Sequence, residues 1–227
     1  MKIQKKQKNM EERIIKKGAI FDFDGLMFDT ESYYLKALDK VVAYYGKTMN
    51  PQAVRNQMGV AGKAMIEILR QDLEIDDTIE GLTKTIRTYF KDIKDAEIMP
   101  MPGLKEVATQ LTEKGVKICV CSSNKTALIT HFLIKYRLKE LFPIIVSSDD
   151  VENIKPHPEP YLKAARMIEL DPKDCLAFED SSVGVESARE AGMDCIAIPT
   201  EWTKTMDFSR ATQILPSLED PRLMEYF

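Results

Sequence analysis

The chain has 227 residues, 44% hydrophobic and 30% charged, with a formal net charge of −4. That balance suits a folded α/β protein with a substantial core. It excludes a wholly disordered chain and gives no reason to expect nucleic acid as a partner. No apolar run reaches the length of a membrane span, so no membrane partner is expected either.

In chain order, residues 1–17 open Lys-rich ("MKIQKKQKN") and lack the apolar stretch of a secretory signal; Glu11, Glu12 and the absence of Ser argue against a transit peptide. They read as a flexible, solvated basic tail. "GAIFDF" (18–23) is the first strand candidate, and it carries Asp22 and Asp24 two positions apart with Gly25 close behind. Each isolated carboxylate in such a place costs several kcal/mol or more to desolvate, so the pair needs a purpose. From Thr30 to Met99 only helical periodicity appears: Leu38, Val41, Val42 and Tyr45; Met65, Ile68 and Leu69; Leu82, Ile86 and Tyr89 or Phe90. "MPMPG" (99–103) closes this block. Strand-like runs then recur at "VKICVCSS", "FPIIVSS", "CLAFED" and "CIAIP". Between them lie helical patterns at Leu104, Val107, Ala108, Leu111 and at Tyr161, Ala164, Ala165, Ile168. Continuous apolar strands alternating with amphipathic helices predict a parallel sheet covered by helices on both faces. The four cysteines lack metal spacing and read as buried free thiols of a reducing cytosol. Residues 200–227 read as a finishing segment, with Trp202 in surface packing.

Ligands of open parallel sheets bind beyond the carboxyl ends of the strands. There the sequence places Asp22 and Asp24, then Ser122 and Asn124, then Lys155, then Glu179 and Asp180. Four carboxylates beside one lysine raise one another's pKa, and an oxygen-loving divalent cation balances them; with no His or Cys nearby the choice is Mg²⁺. Ser122 and Asn124 begin a helix, where free N–H groups favour an anion. A carboxylate nucleophile amid metal, lysine and helix start describes phosphoryl transfer, with Asp22 attacking and Asp24 as acid/base.

"DFDGL", Ser122, Lys155 in "KPHPEPY" and "FEDSSVGVESAREAG" together resemble, in order and spacing, the four motifs of the haloacid dehalogenase superfamily. The resemblance runs from Gly18 to about Pro199 and implies a discontinuous Rossmann-like α/β core (18–30 and 98–227) with an inserted all-helical cap (31–97) that closes over the site. It implies Asp22 as nucleophile and metal ligand, Asp24 as acid/base whose carbonyl also meets Mg²⁺, Asp180 and Glu179 as further metal residues, and Ser122 with Lys155 holding phosphate. In the cap, "NQMGVAGKAM" (56–65) is similar to a substrate-facing loop, which puts forward Gly59 and Lys63. Glu31, just past the hinge, is a candidate for the leaving group.

Plainer roles compete. Asp180-Ser181 and Asn124 can cap helices, Ser122 can form an ST turn, Asp149 and Asp150 can cap the next turn, His157 can shape its loop, and His131 can be structural. The expected function is a Mg²⁺-dependent phosphatase for a small phosphorylated metabolite such as a sugar, polyol or nucleoside monophosphate, acting as a cytoplasmic monomer. The alternative is a phosphomutase of the β-phosphoglucomutase kind. Against it, Tyr34 stands where the mutases carry a histidine, and Gly62, followed by Lys63, where they carry an arginine for the second phosphate. A dehalogenase has no need of Asp24, and a receiver module has no need of a second aspartate or a cap.

Overall fold

A computed structural model describes residues 15–50, 52–53, 56, 62–90 and 98–227. Six parallel strands form one sheet: β1 (Gly18–Phe21), β2 (Lys117–Cys121), β3 (Ile144–Val146), β4 (Cys175–Glu179), β5 (Asp194–Ala197) and β6 (Gln213–Ile214), in the order β3-β2-β1-β4-β5-β6. β1 is central, with Gly18 in register with Lys117 on one side and Cys175 on the other. All four of its residues are buried, which is why it reads as an unbroken apolar run rather than an alternating one.

Helices cover both faces. On one, α4 (Leu104–Glu113) and α5 (Thr126–Lys135) bury Leu104, Val107, Leu111, Ile129 and Phe132 against Phe21, Val120 and Phe178. On the other, α6 (Glu159–Met167) and α7 (Ser182–Glu190) bury Tyr161, Ala164 and Val185 against Ile20, Cys119 and Ala177. The four cysteines are free and buried, as their pattern suggested. Burial pushes the Cys121 and Cys175 thiols up to about 12, which leaves them unreactive.

Between β1 and α4 lie α1 (Thr30–Tyr44), α2 (Gly62–Asp72) and α3 (Ile79–Phe90), as the periodicity predicted. They share a separate apolar cluster around Leu38, Val41, Leu69 and Leu82. The chain leaves and re-enters the core side by side: Phe28 bridges Pro100, and the Met101 N–H donates to the Met27 carbonyl at 2.9 Å. Asp29 caps α1 by accepting from the Ser32 N–H.

Two elements depart from expectation. β6 has only two residues, too few for a periodic signal, and is held by backbone bonds from Thr212 to Cys195 and from Leu215 to Ala197. The basic tail ends sooner than residue 17. Lys16 is buried, its N–H donates to the Tyr226 carbonyl, and its Nζ reaches the Lys173 carbonyl at 2.6 Å and Asp194 at 2.7 Å. A lysine with that many acceptors gains more from the core than from water. Among the described residues no helix is long and apolar enough to cross a membrane.

Candidate active site

The strand ends build the site. Asp22 immediately follows β1, and its N–H donates to the Phe178 carbonyl at 3.0 Å, continuing the ladder with β4. The chain then turns sharply. Gly25 has φ +70°, and its N–H closes the turn on the Phe28 carbonyl at 2.9 Å. A β-carbon at Gly25 would lie 2.9 Å from the Asp180 carboxyl carbon and 3.4 Å from that of Glu31, so glycine is required for space as well as for φ.

That turn presents Asp24 to two donors. Thr30 Oγ1 donates to its Oδ1 at 2.8 Å, and Asn124 Nδ2 donates to both oxygens at 2.9 and 2.7 Å. Burial pushes the Asp24 carboxyl up, and these two donors oppose the shift. Asn124 also donates its N–H to Ser122 Oγ at 3.0 Å, so the ST turn weighed for Ser122 is present. Asn124 is not the helix cap considered above. The residue in that position is Lys125, and Asp149 supplies the carboxylate that accepts the Thr126 N–H at 3.1 Å. Asp149 thus caps α5 rather than its own turn, while Asp150 closes its own turn on the Ser147 N–H and hydroxyl.

Lys155 enters from the loop after β3. Its buried Nζ donates to Asp22 Oδ1 at 2.5 Å, to Glu179 Oε1 at 2.6 Å and to the Cys121 carbonyl at 2.9 Å. Its ammonium also lies 4.8 Å from the Tyr161 ring centre. Glu179 is fully buried and takes two further donors, Tyr161 Oη at 2.7 Å and Ser181 Oγ at 3.2 Å. Ser181 itself caps α7 by accepting the Gly184 N–H at 3.1 Å, so the capping role belongs to Ser181 and leaves the Asp180 side chain at the site. Gly184 is indispensable here, because a β-carbon would fall on the Glu179 carboxylate.

Asp22, Glu179 and Asp180 each offer an oxygen within 4.8 Å of the others, and all three are buried. Burial pushes Asp22 well above the usual carboxylate range; Lys155 pulls it down, and Glu179 and Asp24 push it further up. Asp180 is raised by burial and then by Asp22, Glu179, Glu31 and Asp24. For Lys155, burial alone would lower the pKa, but Asp22 and Glu179 outweigh it and hold the ammonium firmly charged. One cation among these acids is too little, and an all-oxygen donor set of this kind fits a hard divalent ion.

The haloacid dehalogenase-like hydrolase family model matches residues 19–198. The chain belongs to this family. YhcW of Bacillus subtilis is 33% identical over 208 residues, 91% of this chain and 94% of that protein. The phosphorylated carbohydrates phosphatase of Thermotoga maritima is 32% identical over 179 residues, 79% and 83% of the two chains. Among solved structures, CbbY from Rhodobacter sphaeroides in complex with phosphate matches with a TM-score of 0.75 at 23% identity, covering 89% of this chain and 95% of that one.

As a haloacid dehalogenase-like hydrolase, the chain brings together Asp22, Asp24, Ser122, Asn124, Lys155, Glu179 and Asp180 around the strand ends. Glu31 joins them from the first turn of α1, half-buried, with Thr200 Oγ1 donating to its Oε2 at 2.7 Å. Burial holds its carboxyl above the ordinary value, with Asp24 and Asp29 adding to the effect and Thr200 opposing it. Gly59 and the Lys63 side chain lie outside the described residues. His157 is exposed and accepts the Glu159 N–H at 3.2 Å, a loop-shaping role. His131 packs edge-on against Phe132. Four partners escaped the sequence reading: Thr30, Tyr161, Gly184 and Thr200. Tyr161 looked like an ordinary apolar position of α6, and only its place six residues after Lys155 in "KPHPEPY" hinted at more.

Proposed function

We propose that this hydrolase is a Mg²⁺-dependent phosphatase that cleaves a small phosphomonoester (a sugar, polyol or nucleoside monophosphate) through an aspartyl-phosphate on Asp22. One observation carries the reading: the Asp22 carboxylate at the end of the central strand, bonded to Lys155 at 2.5 Å and grouped with Glu179 and Asp180. The Thermotoga relative's name, a phosphatase of phosphorylated carbohydrates, supports the sugar-phosphate part of that range.

In this mechanism Asp22 attacks phosphorus with its free oxygen while Lys155 retains the other, and the ester P–O bond breaks. Asp24 gives its proton to the departing alkoxide and then takes one from the water that hydrolyses the acyl phosphate. Its two donors, Thr30 and Asn124, fix the direction in which it delivers that proton. Ser122, whose Oγ accepts the Asn124 N–H and keeps its own proton to donate, receives a phosphoryl oxygen. Asp22 and Asp180, with Glu179 and the Asp24 carbonyl, would hold the cation, which supplies charge neutralisation for the transferring group when bound. The helices of 31–97 act as the cap, excluding water and selecting the ester.

Residue 34, a histidine in the mutases that the chain resembles, is here a tyrosine, and burial pushes its phenol up to about 12, far from a histidine's range. The test is phosphate release from a panel of sugar, polyol and nucleotide monophosphates with and without Mg²⁺, with Asp22→Asn as the blank. Mg²⁺-dependent release that the variant abolishes is expected. Conversion of a hexose 1-phosphate to its 6-phosphate with little free phosphate would establish the mutase instead.

A further inference from the structure

Glu31 is a carboxylate at the site for which the mechanism above has no use. A position in the first turn of α1 brings it the helix dipole, but that needs neither burial nor a fixed rotamer. Glu31 has both. Thr200 Oγ1 donates to Oε2 at 2.7 Å, while that same hydroxyl accepts the N–H groups of Trp202 at 3.2 Å and Thr203 at 3.3 Å. The Thr200 N–H in turn donates to Thr203 Oγ1 at 2.9 Å, and Thr203 is buried. The turn therefore commits the threonine's lone pairs and aims its proton at Glu31. No described residue donates to the other oxygen, Oε1. The Glu31 and Asp180 carboxylates stand over the same Gly25 α-carbon, one residue from Asp24. The turn at Gly25 thus sets the Glu31 carboxyl beside the acid Asp24, which a leaving oxygen must approach to take its proton.

A held carboxylate with a spare acceptor recognises a hydrogen-bond donor and repels an anion. Resting on the phosphatase reading, we propose that Glu31, oriented by Thr200, is a specificity-determining residue: it selects esters whose leaving group carries a hydroxyl beside the ester carbon, as polyol and sugar phosphates do. Esters without that hydroxyl lose the contact, and esters with a carboxylate there are rejected. The competing role for Glu31 is as another ligand for the cation.

The experiment compares kcat/KM for glycerol 3-phosphate, propyl phosphate and phosphoglycolate in the wild type, Glu31→Ala, Glu31→Gln and Thr200→Val, with Mg²⁺ affinity measured separately by calorimetry. The ratio of glycerol 3-phosphate to propyl phosphate should fall about tenfold in Glu31→Ala, the size of one charge-assisted hydrogen bond. Thr200→Val should lower it less, and it serves as the second variant should Glu31→Ala fold poorly. Glu31→Gln, which keeps an acceptor without the charge, should retain part of the preference and admit phosphoglycolate. An unchanged ratio in an active Glu31→Ala enzyme overturns this inference alone. So does weaker Mg²⁺ binding with the ratio intact, which puts Glu31 on the cation. If the wild type hydrolyses no ester, the phosphatase reading falls and the inference falls with it.

Discussion

Gly184→Ala is a one-methyl change in the first turn of α7, on the face away from bulk solvent, and the structure predicts that it is severe. The new β-carbon would occupy the space of the Glu179 carboxylate. That carboxylate has no room to retreat, because Lys155 at 2.6 Å, Tyr161 at 2.7 Å and Ser181 at 3.2 Å hold it on the remaining sides and none of it reaches solvent. Overpacking alone costs about 1–3 kcal/mol. Prising Glu179 from Lys155 adds about 3–5 kcal/mol for a broken buried pair. Alanine's better helix propensity returns up to about 1 kcal/mol. The net loss is about 3–8 kcal/mol, a large part of the ~5–15 kcal/mol that keeps a domain folded. Urea unfolding followed by far-UV circular dichroism measures it directly. Glu179→Ala opens the space that the methyl needs and already forfeits the Lys155 pair, so the double variant should be more stable than the sum of the two single losses by about 4–8 kcal/mol, the overpacking plus the pair that the sum counts twice. A Gly184→Ala protein within about 0.5 kcal/mol of wild type would refute the packing argument.

Three further outcomes follow from the same geometry. Tyr161→Phe removes a hydroxyl from Glu179 and should cost about 1–3 kcal/mol in thermal or urea unfolding, because a buried acceptor loses a donor while its Lys155 partner stays. Asn124→Ala frees the Asp24 carboxylate on one side and should lower kcat by up to about 100-fold while Mg²⁺ affinity, measured by calorimetry, holds. The pH dependence has a definite sign. Folding raises the Asp22 and Asp180 pKa values above the unfolded carboxylate value of about 4, so without a cation their contribution to stability is complete below that value and is lost as pH rises through the raised values. Mg²⁺ displaces those protons, so the rise in Tm on adding it should grow from roughly pH 5 to pH 8; an increment independent of pH would contradict this.

How much of this was legible in the sequence depended on the kind of signal. Five strands and the helical block announced themselves through unbroken apolar runs and a 3.6-residue period, and Asp22, Lys155 and Asp180 through acids and a lysine placed just past those runs. β6 was invisible because two residues carry no period. Lys16 misled because a lysine in a basic stretch looks solvated, and its acceptors at Lys173 and Asp194 lie more than 150 residues away. Thr30, Thr200 and Tyr161 were missed for a related reason. A hydroxyl declares its partner only after the chain has folded, so Thr30 reads as a helix start, Thr200 as loop and Tyr161 as core. Gly184 reads as a helix glycine until the Glu179 carboxylate is seen against its α-carbon. Asn124 was found as a candidate for anion binding or capping, but its bond to Asp24 was not foreseen, and the cap of α5 falls to Asp149 from the adjacent loop.

Whether Asp22 carries the phosphoryl group is settled by an acid quench during turnover of a hydrolysed ester, followed by digestion and mass spectrometry of the phosphopeptides. An acid-stable, base-labile phosphate is expected on the peptide containing Asp22, absent from Asp22→Asn and more abundant when Asp24→Asn slows its hydrolysis. Phosphate found on another residue, or an Asp22→Asn protein that still turns over at the wild-type rate, would contradict it.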